Sequence, residues 1–245
     1  MLVMKSLLLA LALVVAAAQS TEPPLSETRL TVHTLLREDL FAGFMAKDMV
    51  RFERGERNTE QLLRDRPDQR GNVMAWTGLA KLYRAVLAHE AGKPAEFEQL
   101  YKAARDAFDD AWKQSTGNEG VPPITGGSFA VFADRLPQQH RAEAWQRAYE
   151  AYSALWKSQA NIVDKLPVHH RGELLAGLAQ SAQRTGRTEE MNTNLDRMLT
   201  HLQGTPYETT AKEWKSDPSS AAKTNLTCKN CHNPGRLSST LATLK

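Results

Sequence analysis

The stretch HRAEAWQRAYEAYSALWKSQANIV, residues 140–163, decides the fold. Trp145, Tyr149, Tyr152 and Trp156 fall at i, i+4, i+7 and i+11, a continuous stripe along one side of a helix. The stripe reads as a buried core face, because large aromatics dominate core burial. Working outward, glycine and proline gather at a few points: Arg66-Pro67-Asp68, Gly92-Lys93-Pro94, Gly117 to Gly127, Leu166-Pro167, Gly204-Thr205-Pro206 and Asn233-Pro234-Gly235. Between these breaks the apolar residues recur at three and four, and runs of β-branched residues are almost absent. The chain is therefore expected to be all-α.

Two stretches carry a finer pattern. From Gly172 to Pro206, Leu178-Ala179 sets a large residue beside a small one, Gly186 falls at a turn, Leu195 takes a large position in a second helix, and Pro206 follows its end. Trp76-Thr77-Gly78-Leu79-Ala80-Lys81-Leu82-Tyr83 spells the phrase W-x-x-L-small-x-x-Y, with Met45-Ala46 and Met49 one period earlier. On these residues about half the chain resembles the tetratricopeptide family, whose helical hairpins repeat roughly every 34 residues. The resemblance implies stacked antiparallel hairpins over residues 19–215 and names no ligand. Met191 and Met198 stand where that family usually has alanine, so those two helices are expected to sit further apart. Ser115 to Pro137 has a different texture, with Gly117, Gly120, Pro122-Pro123 and Gly126-Gly127. It is predicted to be a long loop, the seam between two helical halves.

The first residues bear on compartment. Lys5, the apolar run Leu7–Val15 and the small residues Ala16-Ala17-Ala18 stand in the order of a secretory signal peptide, residues 1–18, with cleavage near Ala18/Gln19. Ser6 to Ala18 is shorter than the roughly 20 residues a membrane-spanning helix needs. A periplasmic or secreted chain without an integral membrane span follows. The net charge of +3 is spread in mixed runs such as Arg51-Phe52-Glu53-Arg54-Gly55-Glu56-Arg57, a solvated helix face. A nucleic-acid binder would concentrate its basic residues instead.

The chain has two cysteines, both within Cys228-Lys229-Asn230-Cys231-His232. The loop between them is too small to staple a fold, so their purpose is local chemistry. A zinc site wants four ligands, and no second pair exists. A thioredoxin-like pair wants a βαβ setting, and no strand pattern is present. What remains is covalent haem attachment, in which Cys228 and Cys231 form thioethers with the vinyl groups and His232 becomes the proximal iron ligand. One haem c per chain is expected, in a C-terminal segment of residues 216–245. A helix from Asp217, with Pro218 in its first turn, to Cys231 is predicted to present it. Arg236, four residues past His232, could pair with a propionate.

On Cys228, Cys231, His232 and the leader, the chain resembles the c-type cytochromes. Small soluble members supply a methionine ligand well downstream of the motif, but after His232 this chain has neither methionine nor histidine. Cytochromes of the c-prime type share the C-terminal placement, yet this chain is longer and breaks at Asn233-Pro234-Gly235. A sixth ligand must come from upstream, from His33, His89, His140, His169, His170 or His201, or from Met45, Met49, Met74, Met191 or Met198. His169-His170 is the pair of most interest, because it precedes the hairpin leading to the haem segment. The resemblance implies electron transfer with a redox partner protein docked on the helical domain. Two other readings stay open: a gas- or ligand-binding haem with a free sixth position, and a scaffold for a periplasmic redox complex. No catalytic constellation stands out in the sequence.

Overall fold

The computed structural model describes residues 22–115, 120–223 and 234–244. Among them are ten α-helices, four short 3-10 segments and no strand. Helices α1 (Val32–Ala46) and α2 (Met49–Asp65) form a first hairpin, and α3 (Arg70–Glu90) and α4 (Pro94–Gln114) a second. Helices α5 (Val121–Phe132) and α6 (Gln138–Gln159) form a third, and α7 (Val168–Arg184) and α8 (Thr188–His201) a fourth. Helix α9 (Pro206–Ser216) packs on α8, and α10 (Arg236–Thr243) packs back on α1. Links of two to five residues leave each pair no option but to run side by side, as the hairpin expectation required.

Two of the turns are built alike. Gly92 and Gly186 sit at φ +70° and +75°, where a Cβ is strained, and each ends its helix in the left-handed region. The amide after each glycine reaches back to a carbonyl five residues earlier, Lys93 to Ala88 at 2.9 Å and Arg187 to Ala182 at 2.8 Å. Both glycines lie at breaks that the sequence marks, although the turn at Gly92 makes the hairpin that begins with Trp76 longer than the repeat pattern. Met191 and Met198 are both buried in the core.

The first hairpin is locked by charge. Asp39 is buried, and accepts from Arg54 Nε and Nη2 at 2.6 Å each and from Arg51 Nε at 3.0 Å. Removing one partner of a buried pair costs roughly 3–5 kcal/mol. Here the arginine side chains keep 17% and 23% of their exposure, so water can take over part of their solvation. Asp39→Ala is therefore expected to cost about 2–3 kcal/mol, read as a lowered urea midpoint at unchanged m-value.

Two expectations are corrected. Residues 121–132 are not part of a loop: they form α5, one of the most buried helices. Pro122 stands in its first turn, where a missing N–H costs nothing, and Val121, Ile124, Phe129 and Phe132 are buried in the core. Burial of that face outweighs the low helix propensity of Gly126 and Gly127. The segment after Asp217 begins as a 3-10 turn, Pro218–Ala222, rather than an α-helix. Asp217 does cap it, accepting from the Ser219 amide at 3.0 Å, while residues 224–231 of the expected helix lie outside the described residues. The expected leader, residues 1–18, also lies outside them. Among the described residues no helix is long and apolar enough to cross a membrane.

Candidate functional site

The first helix of every hairpin, α1, α3, α5 and α7, contributes to one cavity of about 780 Å³, closed at the side by α6 and α10. That volume falls within the roughly 300–1,000 Å³ typical of small-molecule and cofactor sites. Its walls are mostly apolar, with Trp76, Tyr152 and Leu155 among them. Tyr152 thus belongs both to the aromatic stripe and to the cavity wall. Trp145 from the same stripe is core, whereas Tyr149 and Trp156 are half-buried under the guanidiniums of Arg187 and Arg197, each 4.3 Å from the ring centre.

Three histidines line the cavity: His33 from α1, and His169 and His170 from α7. His33 stands on the first turn of its helix, which Thr31 caps by accepting from the Thr34 amide at 3.1 Å. Its ring leans on the buried indole of Trp76, centre to centre 5.1 Å at 47°. Burial, reinforced by the charge of Arg37, pushes its pKa down from 6.5 to about 3, so the imidazole is neutral. His169 and His170 pack edge to face at 4.1 Å. Burial also lowers both of their pKa values, with His170 and Arg236 adding to the effect at His169, and Arg236 and Arg37 at His170. Two cations, Arg37 and Arg236, therefore stand at this end of the cavity.

Helix α10 is held there by contacts far apart in sequence. The Leu237 amide donates to Glu38 Oε1 of α1 at 2.6 Å, and the Leu237 side chain is buried. Arg29 donates to the Leu244 carbonyl at 2.8 Å, tying down the other end. Arg236, Ser239 and Thr240 then face the cavity.

Of the residues predicted to carry chemistry, Cys228, Cys231 and His232 lie outside the described residues. Among the upstream candidates, His33, His169 and His170 reach the cavity, while the others serve elsewhere. His140 contacts Glu98 at 3.0 Å and lies tilted against Tyr101, and His201 pairs with Asp164 at 2.7 Å. His89 packs near Phe97, and none of the five methionines lines the cavity. Among the described residues no group of three or more His, Cys, Asp or Glu is placed to hold a metal ion. Sequence reasoning passed over Arg37 and gave His33 no special weight, although His33, Arg37 and Phe41 at i, i+4 and i+8 mark one side of α1.

The described residues thus define an all-helical hairpin arrangement with a single-ligand-sized cavity between its helices. No protein-family model, curated protein or solved structure matches the chain.

Proposed function

We propose that the chain is an exported monohaem c-type cytochrome that passes single electrons to or from a docked redox protein. In this reading Cys228 and Cys231 tether the haem, His232 ligates its iron, and the haem packs against the inner cavity. One observation carries it: α10, which follows the motif almost at once, is itself a wall of that cavity. Arg236 is the fourth residue after His232, and four steps of chain span at most about 14 Å.

The residues present suit a haem. The cavity offers apolar walls for a porphyrin face, neutral imidazole for iron, and the guanidiniums of Arg37 and Arg236 for the propionates. The indole N–H of Trp76 is buried with no acceptor among the described residues, so it remains an unsatisfied donor. When bound, the haem supplies one-electron chemistry. The protein's part is to hold it, shield one face from water, and offer a helical surface to a partner.

The test is expression of the full chain in a bacterium able to attach haem c. The exported protein is expected to begin after Ala18, to keep one haem per chain through denaturation in a pyridine haemochrome assay, and to show one reversible one-electron wave. Cys228→Ser/Cys231→Ser is expected to lose all covalent haem. An exported wild-type protein without covalent haem sinks the proposal.

A further inference from the structure

Of the six helices around the cavity, α10 buries least. Leu237 is the one buried residue among its eight, whereas ten are buried in α5 and ten in α7. Leu241 and Leu244 follow on the same side at i+4 and i+7 and are half-buried, while Ser238, Ala242 and Thr243 are exposed. A helix of eight residues is marginal in water by itself, so α10 is helical because it is docked. Its N-terminus is capped from another element. Gly235 holds the N-cap position and has no side chain to offer, and the Leu237 amide in the first turn donates to Glu38 Oε1 of α1 instead. A carboxylate at that place fills the cap and meets the positive end of the helix dipole. At the other end Arg29 donates to the Leu244 carbonyl from an exposed guanidinium, and solvent competes for that bond. The backbone just before α10 is poised to turn. Gly235 has φ +89°, and a Cβ there would meet nothing within 4 Å, so rotation at this point breaks no packing.

We propose that α10 is a lid of the cavity, hinged at Gly235 and latched to α1 by Glu38 and Leu237, which opens as a unit while the four hairpins stay folded. Opening takes Arg236, Ser239 and Thr240 out of the wall and uncovers His33 to small molecules from solvent. Local opening draws on the elements with the fewest buried apolar contacts, and among the walls of the cavity that element is α10. A hinge is a position at the end of an element that absorbs the change in backbone angles, and Gly235 meets that description. The lid stands on α1 and α10 and holds whether or not haem is attached. It gives an occupant of the cavity a way in that leaves the core intact.

Residue-resolved amide hydrogen exchange of the full chain tests the lid, together with labelling of His33 by diethyl pyrocarbonate read by peptide mass spectrometry. Wild-type α10 amides are expected to exchange at one common opening rate, at least about 100-fold faster than the amides of α3 and α7. Low urea is expected to change that rate little, because opening exposes little surface, while it speeds exchange in α3 and α7. Leu237→Ala is expected to speed α10 exchange by about 30-fold or more, and Glu38→Ala by about 5-fold. Gly177→Ala, which strains α7 away from the lid, is expected to speed α7 exchange by about 30-fold and leave α10 at its wild-type rate. His33 labelling is expected to rise in Leu237→Ala by a factor close to that of α10 exchange. Wild-type α10 amides as slow as those of α7, opening rates that differ from residue to residue along α10, or a Gly177→Ala that speeds both helices alike would overturn the hinged unit. His33 labelling that Leu237→Ala leaves unchanged would show that α10 does not close the cavity, and the lid falls with it. Haem content, read separately by the pyridine haemochrome assay, decides the function reading and not the lid.

Discussion

Trp76→Ala is expected to lower the unfolding free energy by about 3–5 kcal/mol, the range of a large aromatic deleted from a core. Trp76 is 1% exposed and is the most voluminous of the fully buried side chains together with Trp214. It meets His33 at 5.1 Å and Phe41 edge-on at 6.1 Å, so it joins α3 to α1 beside the cavity. Its truncation opens new space onto a cavity that already exists, and the walls have little slack with which to close it. Trp76→Phe is the informative partner. The indole N–H has no acceptor among the described residues, so phenylalanine forfeits area and no hydrogen bond, and a loss of about 1 kcal/mol or less is expected. Urea melts of both variants check the pair. Equal losses would show that the N–H matters more than the ring volume, contrary to this account.

Gly177→Ala is expected to destabilise by about 2–3 kcal/mol, against the usual rule that alanine improves a helix by about 1 kcal/mol. A Cβ at Gly177 would stand 2.4 Å from Cζ and 2.5 Å from Cε2 of Tyr152. The ring also packs against Gly126 of α5, where a Cβ would lie 3.1 Å from it. Tyr152 is therefore held between α5 and α7, and overlap outweighs propensity. Gly126→Ala, with only a few tenths of an ångström to gain, is expected within about 1 kcal/mol of wild type. Adding Tyr152→Leu to Gly177→Ala is expected to recover part of the loss, a coupling of about 1–3 kcal/mol in a double-mutant cycle. Strict additivity in that cycle would mean the two residues do not clash.

Much of the fold is legible in the chain. The aromatic stripe marks α6 because a 3.6-residue period needs no knowledge of what it packs against. Gly92 and Gly186 mark hairpin turns because left-handed backbone excludes most other residues there. Residues 121–132 mislead for the converse reason. Two prolines and two glycines read locally as loop, yet the prolines fall in the first turn and a glycine-sized surface is what Tyr152 requires. That requirement belongs to α6 and α7, and no window centred on α5 contains it. Pro206 likewise marks, in the sequence, only the end of the hairpin before it, whereas in the fold it starts α9.

The candidate site divides along the same line. Cys228-Lys229-Asn230-Cys231-His232 is a local pattern, and its reading as a haem tether depends on residues adjacent in the chain. His33 is an unremarkable histidine until α1, α3, α7 and α10 are folded together. Only then do Trp76, Arg37 and Arg236 surround it and burial strip its proton. By itself the sequence determined that the described chain is helical and that its helices pair, and it supplied the five residues on which the haem proposal rests, because period, turn and covalent spacing act over a few residues. The tertiary structure alone decided that six helices share one cavity and that His33, His169 and His170 meet in its wall, because burial and electrostatic neighbourhood are properties of packed surfaces.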